Sequence, residues 1–399
     1  MKVRKYPSSR NISRVALSDY FLIFLLISMS GVVLGQPTKE TQEETTTTTC
    51  AALSSPIKTV LVTGSNGFVG SWIVKELLEQ GYNVHACVRD ASDPTKVEHL
   101  LRLVQNNQEE LPNNQNCVND SSPLVGRLRL FSTGDLGKTD PSVWDDPLKD
   151  CDAVMHTSMA LDWTNGKHGM YHPTLKGTQN LLDAIERHTT TVKTLILTSS
   201  MAAVATQTNG GMTDVFHWRN VQEEKLRGSW YSATKTAQEE LAFDWFEQKR
   251  QEGRLPQDFR FVSICPTRIL GPPIHPSVPV SGWLSHLDQW LQEGTDKESP
   301  NETLALVHPQ DVARMHIVAL DDSKNAMGRY LCTDESWHWN DVMEYLYPDQ
   351  KSLLRLYDGN DKVPLPQFNQ ERRQSLGVEL RPMAQILDES IEYIKSLHR

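Results

Sequence analysis

Thr59-Val60-Leu61-Val62-Thr63-Gly64-Ser65-Asn66-Gly67-Phe68-Val69-Gly70 decides the fold. An apolar run breaks into three glycines spaced three apart, and Ser71-Trp72-Ile73-Val74-Lys75-Glu76-Leu77-Leu78 follows with amphipathic spacing. The pattern reads as strand, tight turn and helix. Gly64 permits the sharp turn, Gly67 leaves room for a pyrophosphate against the backbone, and Gly70 lets the helix pack close to the strand. The helix N-terminus then offers N–H groups and partial positive charge to the anion. Glycines serve many strand-to-helix turns without any ligand. Here the flanking strand and helix both stand where a dinucleotide site needs them.

Working outward, Asn83–Val88, Leu128–Phe131, Ala153–His156, Leu195–Thr198 and Phe261–Cys265 read as further short apolar strands. Helical patterns at 97–104 and around Gly177–Leu182 separate them. This alternation predicts an α/β fold, a doubly wound parallel Rossmann sheet with helices on both faces. A polar insertion, 105–123, interrupts it. After Gly271-Pro272-Pro273 the pattern turns mainly helical, ending in an amphipathic helix over Met383–Leu397. The expected organisation is a nucleotide-binding domain over 57–270 and a smaller substrate lobe over 271–399.

The first 56 residues read differently. Lys2, Arg4, Lys5, Arg10 and Arg14 precede an apolar run from Tyr20 to Leu34, followed by a threonine-rich tract. Residues 1–36 therefore read as a signal peptide or signal-anchor and 37–56 as a linker. The run is shorter than the ~18 apolar residues of a membrane span. On this reading the chain enters the secretory pathway or endoplasmic reticulum, luminal or held at the membrane through residues 20–34. Asn119 and Asn301, both in glycosylation triplets, then become acceptors.

The 399 residues carry a net charge of −10, with basic residues scattered, so no nucleic-acid face is expected. Six cysteines make no disulfide scaffold at this length, and no metal site is read from the chain.

Chemistry gathers at three places. Arg89, at the end of the second strand, and Lys96 suit the 2′-phosphate of NADP, although Asp90 beside them suits the ribose hydroxyl of NAD instead. Tyr231 and Lys235 lie one helical turn apart on one face. A phenol needs a neighbouring cation to work as an acid-base near neutral pH. Ser200 ends the fifth strand, at the sheet edge where ligands bind. It reads as a catalytic hydroxyl in preference to a simple helix cap. Trp283, Leu284, Trp290 and Met212 are candidates for an apolar pocket, with lobe core as the plainer reading.

These residues resemble the extended short-chain dehydrogenase/reductases, of the epimerase/dehydratase superfamily. The closest branch in pattern is that of dihydroflavonol reductases and cinnamoyl-CoA reductases. The family resemblance rests on Gly64-x-x-Gly67-x-x-Gly70, Ser200 and Tyr231-x-x-x-Lys235, and the branch resemblance on Gly70-Ser71-Trp72, Val88-Arg89-Asp90, Gly134-Asp135-Leu136, Gly177-Thr178, Thr198-Ser199-Ser200, Cys265-Pro266-Thr267 and Gly271-Pro272.

The resemblance implies an NADP(H)-dependent oxidoreductase acting on small carbonyl or alcohol substrates. Tyr231 would be the general acid-base, Lys235 would lower its pKa and hold the nicotinamide ribose, and Ser200 would bond the substrate oxygen. Gly64, Asn66, Gly67, Phe68, Val69 and Gly70 would cradle the cofactor, with Arg89 and Lys96 at its 2′-phosphate. Asp135 and Leu136 would border the adenine, His156 and Thr157 its middle, and Pro266 and Thr267 the nicotinamide. Departures from the pattern are Ser232-Ala233-Thr234 between Tyr231 and Lys235, and Ser158-Met159 after the fourth strand. They leave hydride chemistry intact and weaken any assignment of plant-type substrates. Two other readings stay open: a non-catalytic NADP-binding sensor or scaffold, and a sugar-nucleotide epimerase or dehydratase.

Overall fold

β1 (Thr59–Thr63) lies inside a sheet of seven strands, all paired in parallel. In this computed structural model, residues 58–109, 127–207, 210–278 and 282–398 are described. The other strands are β2 (Asn83–Val88), β3 (Leu128–Ser132), β4 (Ala153–His156), β5 (Thr194–Thr198), β6 (Arg260–Pro266) and β7 (Gly328–Cys332). Their spatial order is β7-β6-β5-β4-β1-β2-β3. Strand order reverses between β1 and β4, which opens a crevice at the carboxyl ends of those two strands. Six strands match expectation. β7 was not foreseen, and it brings chain from beyond residue 271 back onto the sheet edge.

The longer helices are α1 (Phe68–Glu79), α2 (Pro94–Glu109), α3 (His172–Arg187), α4 (Trp230–Gln251), α5 (Gly282–Glu293), α6 (Pro309–Val318), α7 (Trp339–Leu346) and α8 (Met383–Leu397). Side chains alternate across each strand, so every buried strand feeds two cores. Val60, Val62, Val84, Ala86, Met155, Ile196 and Ile264 face α1 and α6 on one side. Leu61, Val154, Leu195, Leu197 and Phe261 face the other side, where Leu181, Ile185, Trp245 and Phe246 of α3 and α4 cover them. Ile73, Val74, Leu77 and Leu78 of α1 are buried. Each contributes about 1.5–3 kcal/mol relative to exposure.

A third cluster joins Leu284, Leu287, Val342, Ile386, Leu387 and Ile394. Trp290 is buried and stacks on Trp339 with centroids 4.4 Å apart. Leu284 and Trp290 are therefore lobe core, as the plainer reading had it, while Met212 is exposed at the surface.

The expected location requires correction. No helix among the described residues is long and apolar enough to cross a membrane. Residues 1–57, with the Tyr20–Leu34 run and the threonine-rich tract, lie outside the described residues, as does Asn119. Asn301 is committed within the fold: its amide donates to the Asp361 carbonyl at 3.0 Å and its Oδ1 accepts from Val363 N–H at 2.8 Å.

Candidate active site

Gly64 turns the chain out of β1 at φ +65°, a region side chains disfavour. The turn closes when Gly67 N–H donates to the Gly64 carbonyl at 3.0 Å. A Cβ at Gly70 would run into that same carbonyl, so only glycine lets α1 approach β1 this closely. Gly67 is the N-cap residue of α1, and no side chain caps the helix. Its first N–H groups, at Phe68 and Val69, are thereby available to an anion.

The neighbouring strand end is tied to this turn. Thr63 Oγ1 accepts from the backbone N–H of Thr157 at 3.0 Å and of Ser158 at 3.1 Å. Its own hydrogen then goes to His156 Nδ1, 2.9 Å away. The ring proton sits on Nε2, 3.0 Å from Thr178 Oγ1 on α3. Burial, reinforced by the Lys235 charge, pushes the His156 pKa down to about 3, so the ring is neutral. Both ring nitrogens of His156 are thus engaged inside the protein, and Thr157 lies at the crevice edge.

At the far end of the crevice the Arg89 guanidinium is exposed, with no ion pair among the described residues. Lys96 reaches Asp93 at 2.7 Å. Asn66 Nδ2 donates to the Lys96 carbonyl at 3.2 Å, which fixes α2 against the glycine turn. Asp90 faces its own turn: Oδ1 accepts from Ser92 N–H at 3.0 Å and Ser92 Oγ at 2.6 Å. Those bonds hold its pKa below the usual carboxylate value. Asp135 Oδ2 lies 3.0 Å from Lys138 Nζ. A Cβ at Gly177 would collide with Leu136, so α3 nests against that side chain.

Ser200, Tyr231 and Lys235 converge at the end of β5. Ser200 Oγ accepts from Ala202 N–H at 3.0 Å, so it does cap a short helical turn. It also faces the Tyr231 phenol, where its polar influence lowers a pKa that burial raises more strongly. Lys235 Nζ donates to the Thr198 carbonyl at 2.8 Å. Burial pulls its pKa down to about 8, against the opposing pull of Glu239, so the ammonium persists at neutral pH. Burial is the larger influence on the phenol and Ser200 the opposing one. Pro266 ends β6, and Thr267 Oγ1 donates to the Ala305 carbonyl at 3.1 Å.

Three contributors were missed in the sequence. Gln238 Nε2 donates to Thr178 Oγ1 at 3.0 Å and the Ser158 carbonyl at 3.3 Å, joining α4 to α3 and the segment after β4. Glu239, one turn beyond Lys235, is fully buried against Arg329 of β7. Its only signal was a charge on the face that Lys235 already placed inward. Trp163 stacks on Tyr231, with ring centroids 5.4 Å apart. Nothing in its spacing indicated this.

The chain matches the NAD dependent epimerase/dehydratase family over residues 60–331. It belongs to that family. Its relatives fall in the branch read from the sequence. Cinnamoyl-CoA reductase CAD2 of Medicago truncatula is 29% identical over 84% of this chain and 95% of its own length. Dihydroflavonol 4-reductase of Arabidopsis thaliana is 27% identical over 84% and 82% respectively. Among solved structures, yeast methylglyoxal/isovaleraldehyde reductase Gre2 complexed with NADPH superposes with a TM-score of 0.68 at 20% identity, covering 85% of this chain and 99% of that one. Vestitone reductase from alfalfa gives 0.61 at 23% identity, covering 85% and 99%. At that identity the superpositions establish the fold. The Medicago reductase is matched nearly end to end by 84% of this chain, and the secretory location read from the head finds no support in it.

Proposed function

We propose that the chain is an NADP(H)-dependent oxidoreductase of the short-chain type that reduces a small carbonyl compound, or oxidises the corresponding alcohol. The observation that carries this is the convergence of Ser200, Tyr231 and Lys235 at the end of β5, beside an uncapped glycine turn. The residues present fit the dinucleotide: no side chain caps α1 at Gly67, so its first N–H groups stay available to an anion, and Arg89 stands exposed at the end of β2. Gly64, Gly67, Phe68 and Val69 would hold the pyrophosphate, Arg89 and Lys96 the 2′-phosphate, and Pro266 and Thr267 the nicotinamide side. The reductase names of the relatives and the NADPH of the yeast enzyme support the same assignment.

NADPH, when bound, supplies the hydride for the carbonyl carbon. Tyr231 gives its phenolic proton to the carbonyl oxygen, and Ser200 orients that oxygen by a hydrogen bond. Lys235 places a positive charge near the phenolate left behind, which steadies it. Neutral His156 bolts β1, β4 and α3 together under the crevice.

The deciding experiment is Tyr231→Phe. Carbonyl reduction, followed by NADPH absorbance, should fall to background while NADPH affinity stays within about twofold, since the proton donor goes and the phosphate cradle remains. Undiminished turnover would refute the assignment of Tyr231.

A further inference from the structure

Trp163 takes no part in the functions assigned so far. Its side chain is 70% exposed, yet its indole lies on the Tyr231 ring with the two planes only 26° apart. The turn that presents it is braced from within. Asp162 Oδ1 accepts from Thr164 N–H at 3.0 Å, Thr164 Oγ at 2.7 Å and Asn165 N–H at 3.1 Å. Two glycines of the following helical turns fit tightly behind it, Gly169 against Asp162 and Gly166 against the Trp230 ring. Burial does not hold this indole in place; a self-bonded turn on one side and the phenol on the other do.

We propose that Trp163 is a positioning residue for Tyr231: its indole covers one face of the phenol, fixes the ring's orientation and keeps water from that face. The inference rests on the reading of Tyr231 as proton donor. Stacked aromatic pairs gain beyond the area they bury, so the contact restricts the phenol even though the indole is largely in water. A proton donor held in one orientation reacts faster than one that samples several. Water exclusion has a second consequence, because burial is what raises the phenol's proton affinity.

Lys235 lies one turn along α4, bound to the Thr198 carbonyl. Lys225 sits 4.0 Å over the Tyr171 ring, and Tyr171 in turn meets the edge of Trp230. Asp162 is occupied in its own turn. Removing the indole changes none of these charges.

The test uses the full chain with Trp163→Ala and Trp163→Phe. With a small aliphatic aldehyde, kcat should fall on the order of tenfold in Trp163→Ala, with KM and NADPH affinity little changed, and recover largely in Trp163→Phe. A second readout does not depend on turnover. Ultraviolet titration of tyrosinate, with Tyr231→Phe subtracted to assign the phenol, should show Tyr231 ionising at lower pH in Trp163→Ala. Unchanged kcat with an unchanged titration would overturn the proposal. So would a loss confined to KM, which would make Trp163 a substrate wall. If the wild type reduces no carbonyl compound, the proposed function fails. The phenol titration then still decides whether Trp163 screens Tyr231.

Discussion

Glu239 and Arg329 meet as a two-pronged ion pair in the interior, Arg329 Nε donating to Oε1 at 2.9 Å and Nη2 to Oε2 at 3.0 Å. The carboxylate also accepts from Ser199 Oγ at 3.0 Å and from Ser263 Oγ at 2.5 Å. The guanidinium continues to the carbonyls of Val215 at 2.7 Å and Ala203 at 3.3 Å, with Trp218 beneath it. One buried pair therefore ties α4, which carries Tyr231 and Lys235, to β6, β7 and the segment after Ser200. Burying two charges is costly, and only such complete satisfaction makes it tolerable.

Breaking the pair on one side should be expensive. Arg329→Met leaves the Glu239 carboxylate buried without its partner, and the expected loss is about 3–5 kcal/mol of stability. It would be read as a lower urea midpoint at unchanged slope. Adding Glu239→Leu should restore a large part of that loss, because the uncompensated charge goes as well. A single variant as stable as the wild type would show that water reaches the site.

Cofactor choice provides a separate test. Arg89 follows β2 and Lys96 lies in the first turn of α2, while Asp90 is spent on Ser92. The wild type should bind NADPH on the order of tenfold or more tighter than NADH, through charge-assisted bonds to the 2′-phosphate. Arg89→Ala with Lys96→Ala should erase the difference, and Asp90→Ala should keep it. Titration of each variant with both dinucleotides decides the matter. Equal affinities in the wild type would return Asp90 to the role of ribose ligand.

The parallel strands were legible because both of their faces are covered, which writes them as short apolar runs such as Val60-Leu61-Val62. The glycine turn was legible because sterics leave Gly64 and Gly70 no alternative. β7 was hidden by its opening Gly328-Arg329, which looks like surface until Glu239, ninety residues earlier in the chain, neutralises it. The three residues proposed as catalytic were readable as residue types at a spacing. Their electrostatics were not: that the phenol answers to burial and Ser200 requires knowing what surrounds it. Likewise the Trp163 stack joins a loop after β4 to α4, and no local pattern records a contact of that kind.

Lys235 loses its proton near pH 8 in the free protein, because burial lowers its pKa from the ordinary lysine value. A lowered pKa in a cation means that the charge disappears as pH rises through about 8. Reduction needs that charge beside the developing phenolate, so kcat/KM, which reports ionisations of the free enzyme, should decline above this pH. Arginine keeps its charge far beyond the range of lysine. Lys235→Arg should therefore be slower at neutral pH, because the larger head fits poorly, yet its remaining activity should show no decline between pH 8 and 10. Should the alkaline limb stay at the same pH in Lys235→Arg, it belongs to another group, and Tyr231 becomes the residue to titrate.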